Sequence, residues 1–137
     1  MNDETAEILK TFRAYSDTFK QKNAFALLPF YDYPALIVDQ DEKPKVLGNI
    51  IIATVGLYLA IQKLSKQGYS YSQIHELEAK QLRHNLAIVN GTATRHQENN
   101  EIFDEFGFTY TLRKSSKGWK IIAGVIHDDQ AGFFLSK

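Results

Sequence analysis

The chain has 137 residues, 44% of them hydrophobic, and its 16 basic residues balance its 16 acidic residues. This length and composition predict one domain, residues 1–137, with a full apolar core, and the balanced charge excludes a general attraction to nucleic acid or to an anionic membrane. The absence of cysteine excludes disulfides, thiolate nucleophiles and cysteine-ligated metals, and together with an acidic start that lacks a secretory-signal pattern it predicts a cytoplasmic protein.

The first part of the sequence has the pattern of helices. Between Glu4 and Lys22, apolar residues recur in steps that match one helical face. They are Ile8, Phe12, Tyr15 and Phe19. Asn23 is predicted to cap a short second helix over residues 24–28, which Pro29 limits because it lacks an amide donor.

The next stretch is predicted to hold two short strands and the most apolar helix. A turn over residues 30–34 precedes an apolar, β-branched run at 35–38, which is typical of a strand. A charged turn then leads to a brief returning strand at 45–47. The third helix is predicted to begin at Ile50 and to stop at Gly68. Its apolar run is shorter than the roughly 20 residues needed to cross a bilayer.

The rest of the chain changes to the period-two alternation of strands. Four strands are predicted, at residues 71–83, 86–97, 106–114 and 119–127. Asn90 and Gly91 are interpreted as a bulge inside the second of these strands, because the apolar alternation continues through them. The order of elements predicts an α+β fold in which about three helices pack on one face of a strongly bent antiparallel sheet.

Several motifs, in this order, resemble a known family. Residues 30–39, followed by a charged turn and by Gly48 opening an apolar helix, are similar to the front half of nuclear transport factor 2-like proteins. Residues 91–95, 118–121 and 126–128 resemble the back half. The resemblance covers almost the whole chain and implies a cone-shaped fold enclosing a pocket. The superfamily includes ketosteroid isomerases, SnoaL-like polyketide cyclases and dehydratases, so the fold alone does not fix a reaction.

The resemblance also implies candidate catalytic residues. Ketosteroid isomerases place a tyrosine on the first helix as an oxyanion donor and an aspartate after the first strand as a base. Tyr15 and Asp39 fall at those positions, with a core aromatic and a solvated turn residue as the alternative interpretations. The isomerases' second, protonated aspartate has no counterpart in residues 108–111, where Tyr110 is the candidate donor. His127 is a third catalytic candidate because histidine titrates near neutral pH.

Aromatic and basic side chains are candidates to line the pocket. The candidate ligand-binding residues are Phe12, Phe19, Tyr31, Tyr58, Arg95 and Tyr110. Aromatic walls suit a flat apolar molecule, and an arginine can hold a carboxylate or an enolate, although most aromatic residues are equally expected in the core. The four histidines lack a helix-borne metal-ligand spacing, so neither a metal nor a cofactor is predicted. Basic residues between the aromatics are too sparse for a nucleic-acid groove.

The last predicted strand suggests a partner. Simple alternation separates its side chains into two apolar sets. One set is Trp119, Ile121, Ala123 and Val125, and the other is Ile122, Gly124 and Ile126. Because both faces look buried, a homodimer through the outer sheet face is predicted. The apolar residues 131–135 are expected to pack on that partner or to close the mouth of the cone.

Two functional hypotheses from different classes follow. The first is a small-molecule-binding domain that acts as an isomerase- or cyclase-like acid/base enzyme on an apolar carbonyl compound, with Asp39 as base and Tyr15 as donor. The second is a noncatalytic dimeric module that binds a ligand or a protein. A protein-binding surface on the exposed sheet is a third option. The enzyme hypothesis requires Asp39 and Tyr15 to face one cavity.

Overall fold

The computed structural model describes residues 3–129, which form helices followed by a sheet. The α-helices are α1 (Asp3–Phe19), α2 (Ala24–Leu27) and α3 (Ile50–Lys66), and a short 3-10 helix spans Leu28–Phe30. The strands are β1 (Tyr31–Val38), β2 (Pro44–Leu47), β3 (Tyr69–Arg83), β4 (Leu86–Gln97), β5 (Ile102–Ser115) and β6 (Gly118–His127). The α+β order predicted from the sequence is confirmed.

Helices α2 and α3 begin where the sequence supplies a capping asparagine. The Asn23 side chain accepts a hydrogen bond from the amide of Phe25 at 3.0 Å, and Asn49 does the same for the first turn of α3. After α3, Gly68 has a φ of +87°, a conformation that glycine adopts without steric cost. Among the described residues, no helix has the length and apolar character needed to span a membrane.

Six strands form one curved sheet, in the order β2-β1-β6-β5-β4-β3. Neighbouring strands are antiparallel except β1 and β6, which pair in parallel, so the sheet is mixed. The helices cover its concave face and bury one apolar core there. Prominent core members are Ile8, Leu27, Leu57, Val89, Phe108, Leu112 and Ile121.

Two local predictions were wrong. Residues 31–34 do not turn but belong to β1. The register of β1 with β6 shifts between Tyr31 and Leu36. Pro34 lies within this shift, so it interrupts no regular ladder of hydrogen bonds. The irregularity near Gly91 lies on the opposite strand. Ile74 faces Ala93 and Glu76 faces Thr92, which leaves His75 of β3 as the extra residue.

The predicted division of β6 into two faces was also wrong. Ile121 pairs with Leu112 and Ala123 pairs with the preceding residue of β5, so Ile122 is an extra residue that reverses the alternation. As a result Trp119 and Ile121 lie in the core on the same side as Ile126. Ala123 and Val125 remain on the outer face.

Candidate functional site

A cavity of about 590 Å³ lies between α3, the β1–β2 hairpin and the concave face of the sheet. Its apolar lining includes Phe19, Ile37, Leu47, Val55, Leu57, Leu59 and Ile126. Its polar lining includes Tyr15, Tyr31, Asp39, Asp41, Lys45, Lys63, Arg95 and Tyr110. A recess of about 60 Å³ shares Tyr15, Arg95 and Tyr110 with the cavity and adds Phe12. An apolar space with a few convergent polar groups is typical of a small-molecule site.

Three tyrosines from different elements meet at the inner end of the cavity. Tyr15 of α1 and Tyr31 of β1 form a hydrogen bond with their hydroxyl oxygens 2.5 Å apart, and the Tyr110 hydroxyl of β5 is close enough to that of Tyr15 for each to influence the pKa of the other. Burial raises the pKa of all three hydroxyls well above the usual value for tyrosine, and the neighbouring phenols add to the rise. The cluster therefore remains protonated and uncharged at neutral pH.

The proton count of the tyrosine cluster leaves a donor for a ligand. Three hydroxyls carry three protons, and the hydrogen bond between Tyr15 and Tyr31 uses one of them. A remaining proton is available to an acceptor oxygen in the cavity. Hydroxyls linked by a hydrogen bond polarise one another, which strengthens the bond that such a donor makes. This arrangement suits an oxygen that gains negative charge during a reaction.

Asp39 is held at the cavity by a chain of polar contacts. Its Oδ1 accepts a hydrogen bond from the backbone amide of Gln40 at 2.7 Å. The Gln40 side-chain amide donates to both carboxylate oxygens of Asp104, at 2.9 and 3.1 Å. Asp104 in turn forms an ion pair with Arg95 at 2.9 Å, and the Arg95 guanidinium lies 4.3 Å from the centre of the Phe106 ring. The loop after β1 is therefore tied to β4 and β5.

Charges at the cavity act on the tyrosine cluster and on one another. Arg95 partly offsets the rise in the pKa of Tyr110, whereas Asp39 adds to it. Both charged groups are therefore close enough to Tyr110 to influence it. Toward the mouth, a hydrogen bond from the Lys45 ammonium group at 2.8 Å is the main cause that lowers the pKa of Asp41. The cavity combines a neutral inner end with ionised groups nearer solvent.

The structure brings together most of the residues predicted from the sequence. Tyr15, Phe19, Tyr31, Asp39, Arg95 and Tyr110 line the cavity, and Phe12 lines the recess. Tyr58, in contrast, is 54% exposed on α3 and is not among the lining residues.

His127 is placed away from this site. It follows Ile126, which lines the cavity, so strand alternation directs it to the outer face. There its Nε2 lies 2.9 Å from the Thr109 hydroxyl, and its Nδ1 donates to the backbone oxygen of Asp128. His127 therefore does not share the cavity with the other two catalytic candidates, Tyr15 and Asp39.

Sequence reasoning missed the residues that position Asp39. Gln40 and Asp104 are 64 positions apart and meet only because β1, β6 and β5 are neighbours in the sheet. No local pattern indicates such a contact.

Two histidines also meet, since His75 and His96 each place Nε2 2.8 Å from the Thr94 hydroxyl. Within residues 3–129, however, no group of three histidine or acidic side chains is arranged to hold a metal ion.

Solved structures with the same fold support the architecture. A domain of unknown function with a cystatin-like fold from Nostoc punctiforme has a TM-score of 0.76 at 12% identity and covers 99% of this chain and 82% of its own. An NTF-2 like protein of unknown function from Shewanella oneidensis has a TM-score of 0.71 at 15% identity, covering 90% and 98%. A ketosteroid isomerase-like protein from Erwinia carotovora atroseptica has a TM-score of 0.67 at 18% identity, covering 92% and 96%. At these identities the similarity shows the fold alone.

The family comparison covers nearly all of the described residues. No curated protein matches the sequence. The family described as NTF2-like protein (DUF6841) matches residues 3–129. That range contains every helix and strand described above, together with the cavity they enclose. The chain therefore belongs to the NTF2-like proteins of the DUF6841 family.

Proposed function

We propose that this chain binds an uncharged, apolar molecule bearing a carbonyl oxygen and acts on it as an isomerase- or cyclase-like acid/base enzyme. One observation carries the proposal: Asp39 and the three-tyrosine cluster line the same cavity. A carboxylate supplies a base, and neutral phenols supply a donor that need not lose its own proton. We also propose a cytoplasmic location, which the absence of cysteine supports.

The proposed chemistry needs no additional reactant. The carbonyl oxygen accepts the free hydroxyl proton of the cluster as a hydrogen bond, and the Asp39 carboxylate removes a proton from the adjacent carbon. The electron pair of that C–H bond forms the enolate, whose negative oxygen is stabilised by the hydroxyls and by the positive charge of Arg95. Return of the proton to another carbon completes an isomerisation. Alternatively, the enolate carbon attacks a second carbonyl of the same molecule, which closes a ring, and the resulting alkoxide takes back the proton from Asp39.

We predict that Asp39→Asn abolishes most proton transfer while binding is retained, because an amide matches the carboxylate in shape but is not a base. Exchange of hydrogen for deuterium next to the carbonyl of apolar cyclic ketones, followed by NMR in heavy water, measures this step. The expected loss is about 100-fold or more. Asp41→Asn is the matched control, since it neutralises another carboxylate of the same cavity. Equal losses in both variants would contradict the role of Asp39.

A second candidate function is a noncatalytic dimeric module, and the outer sheet face favours it. Leu36 of β1 and Val125 of β6 are 42% and 39% exposed. They lie on neighbouring strands, and the adjacent residues Ile37 and Ile126 line the cavity, so both side chains are on the opposite face. We propose that a second copy of the chain covers this surface. If wild type binds the ketones without any exchange, the noncatalytic module is the better description.

The proposed homodimer predicts a mass in solution twice the 15.6 kDa of one chain. Val125→Glu is expected to shift the population to monomer, because the interface would then bury an unpaired carboxylate. Sedimentation equilibrium measures both masses. Leu82→Glu, at an exposed apolar residue near the end of β3, serves as the control and should leave the dimer intact. A wild-type chain that sediments as a monomer at high concentration rules out this interface.

A further inference from the structure

The recess beside the cavity is a small apolar space at the tyrosine cluster. It has a volume of about 60 Å³ and shares five lining residues with the cavity, which are Tyr15, Phe19, Arg95, Tyr110 and Ile126. The recess therefore adjoins the cavity at its inner end. All of its lining lies within residues 3–129, whereas residues 131–135, which were expected on a partner or at the mouth of the cone, lie outside the described chain.

A short side chain on β4 accounts for the recess. Ala93 pairs with Ile74 of β3 and with Phe106 of β5, so the three residues form one row across the concave face of the sheet. All three line the recess and are not among the residues that line the cavity. Ala93 is the smallest of the row and is only 4% exposed, so the space above it is left open by its own side chain and covered by others. The row therefore sets the depth of the recess.

Packed aromatic rings fix the width of the recess. Phe12 of α1 stacks on Phe108 of β5 with ring centres 5.1 Å apart, and it meets the Tyr110 ring edge-on at 5.1 Å. Phe106 lies 6.3 Å from Phe108, and the ion-paired Arg95 guanidinium lies 4.3 Å from the centre of the Phe106 ring. Rings that hold one another in this way resist displacement, because a close-packed interior yields little. The recess therefore has a definite upper limit of size.

The volume of the recess matches a short alkyl group. An apolar cavity of about 150 Å³ in another protein holds benzene, which has six carbon atoms. By proportion, a recess of about 60 Å³ takes about two carbon atoms, the size of an ethyl group, and excludes a six-membered ring.

We infer that the recess binds a one- or two-carbon alkyl branch next to the carbonyl group of the ligand. The placement follows from Tyr15 and Tyr110, which border both the recess and the cavity where the carbonyl oxygen is proposed to bind. This inference rests on the proposed function and deepens it, because it narrows the ligand to ketones with a short branch beside the carbonyl. Ala93 and Ile74 then determine specificity without touching the reacting atoms.

A series of cyclohexanones with different groups beside the carbonyl tests the size limit. NMR titration of the full chain measures the dissociation constants of cyclohexanone and of its 2-methyl, 2-ethyl and 2-phenyl derivatives. We expect wild type to bind 2-ethylcyclohexanone about ten-fold more tightly than cyclohexanone, since two more carbon atoms are buried. The 2-phenyl derivative should lose this gain, because its ring exceeds the recess. Equal affinities across the series, or a 2-phenyl derivative that binds as tightly as the 2-ethyl derivative, would overturn the inference.

Three single substitutions connect the preference to the recess. Ala93→Val adds two methyl groups above the row and is expected to reduce the ten-fold preference for the ethyl branch to about two-fold or less. Ile74→Val removes one carbon at low cost in stability, so the 2-propyl derivative should then bind at least as tightly as the 2-ethyl derivative. Ala60→Val is the matched control, since Ala60 lines the cavity but not the recess, and it should keep the wild-type preference. A preference that survives in Ala93→Val and does not move in Ile74→Val contradicts the inference.

Xenon probes the recess without any ketone, because this single apolar atom enters empty apolar cavities. We expect dissolved xenon to shift the NMR signal of the Ala93 methyl group in wild type and the signals of the Ile74 methyl groups much less in Ala93→Val than in wild type. No shift in wild type would mean that the recess is closed or filled with water, which overturns the inference. A xenon shift without binding of any ketone would support the recess as an apolar site and contradict the carbonyl ligand of the proposed function. The two failures are therefore distinguishable.

Discussion

Replacing Gly91 with alanine is expected to lower the free energy of unfolding by about 3 kcal/mol, the upper range for an added core methyl group. A Cβ at this position would lie 2.3 Å from the backbone oxygen of Glu76 and 2.6 Å from Cζ of Phe108. The Phe108 ring could rotate, but the Glu76 oxygen belongs to β3, which a ladder of hydrogen bonds holds against β4. Relief of the contact therefore requires the two strands to separate locally.

Urea denaturation of wild type and Gly91→Ala measures the loss. Gly48→Ala is the matched control, since its nearest neighbour would be Cδ1 of Ile52 at 3.9 Å, an ordinary van der Waals distance. This control should change stability by less than about 1 kcal/mol, because alanine mainly reduces the freedom of the unfolded chain. Similar midpoints for the two variants would show that the strands yield at Gly91 without cost.

Stability is expected to fall steeply as the pH rises above about 10, and the tyrosine cluster is the cause. In the unfolded chain each tyrosine loses its proton near pH 10, whereas burial raises the pKa of Tyr15, Tyr31 and Tyr110 in the folded chain. Above pH 10 the folded state therefore binds more protons than the unfolded state. The full contribution is present below pH 10 and decreases by about 1.4 kcal/mol per pH unit for each tyrosine, or at most about 4 kcal/mol per pH unit for the three together.

Denaturant unfolding at a series of alkaline pH values measures this slope. Tyr31→Phe removes one of the raised groups, so its slope should be shallower than that of wild type by about 1.4 kcal/mol per pH unit. Tyr58→Phe changes an exposed hydroxyl outside the cluster and serves as the control. Its free energy of unfolding should differ from that of wild type by the same amount at every pH of the series. If Tyr31→Phe and wild type lose stability in parallel, the cluster is not buried as a protonated unit.

Local patterns predicted most of the elements. The steps between Ile8, Phe12 and Tyr15 predicted the buried face of α1, because helical periodicity depends only on nearby residues. The bounds of β4 were predicted correctly, since polar turn residues flank the strand at both ends. The extra residues His75 and Ile122 were not predicted. A bulge depends on the neighbouring strand, and each one reverses the faces of all residues that follow.

The candidate site shows the same difference between local and long-range information. The resemblance indicated Tyr15 and Asp39, but the sequence pattern did not determine the directions of their side chains. The structure places both at one cavity, while their catalytic roles remain predictions. The tie from Gln40 to Asp104 depends on strand order, which no local spacing encodes. His127 shows the converse, because its chemistry suggested a catalytic role, whereas its strand face places it away from the cavity.

The parallel pairing of β1 with β6 has a consequence for how the protein folds. It joins segments that are distant in sequence, as do the ion pair between Asp32 and Arg113, 81 positions apart, and the hydrogen bond from Trp119 to Glu4, 115 positions apart. Contacts of such high sequence separation slow folding, because a long loop must close before they form. During synthesis, β1 and the Asp39 loop have to wait for β6 to emerge from the ribosome. We therefore expect the cavity to assemble late, after the hairpins of β3, β4 and β5 have had time to form.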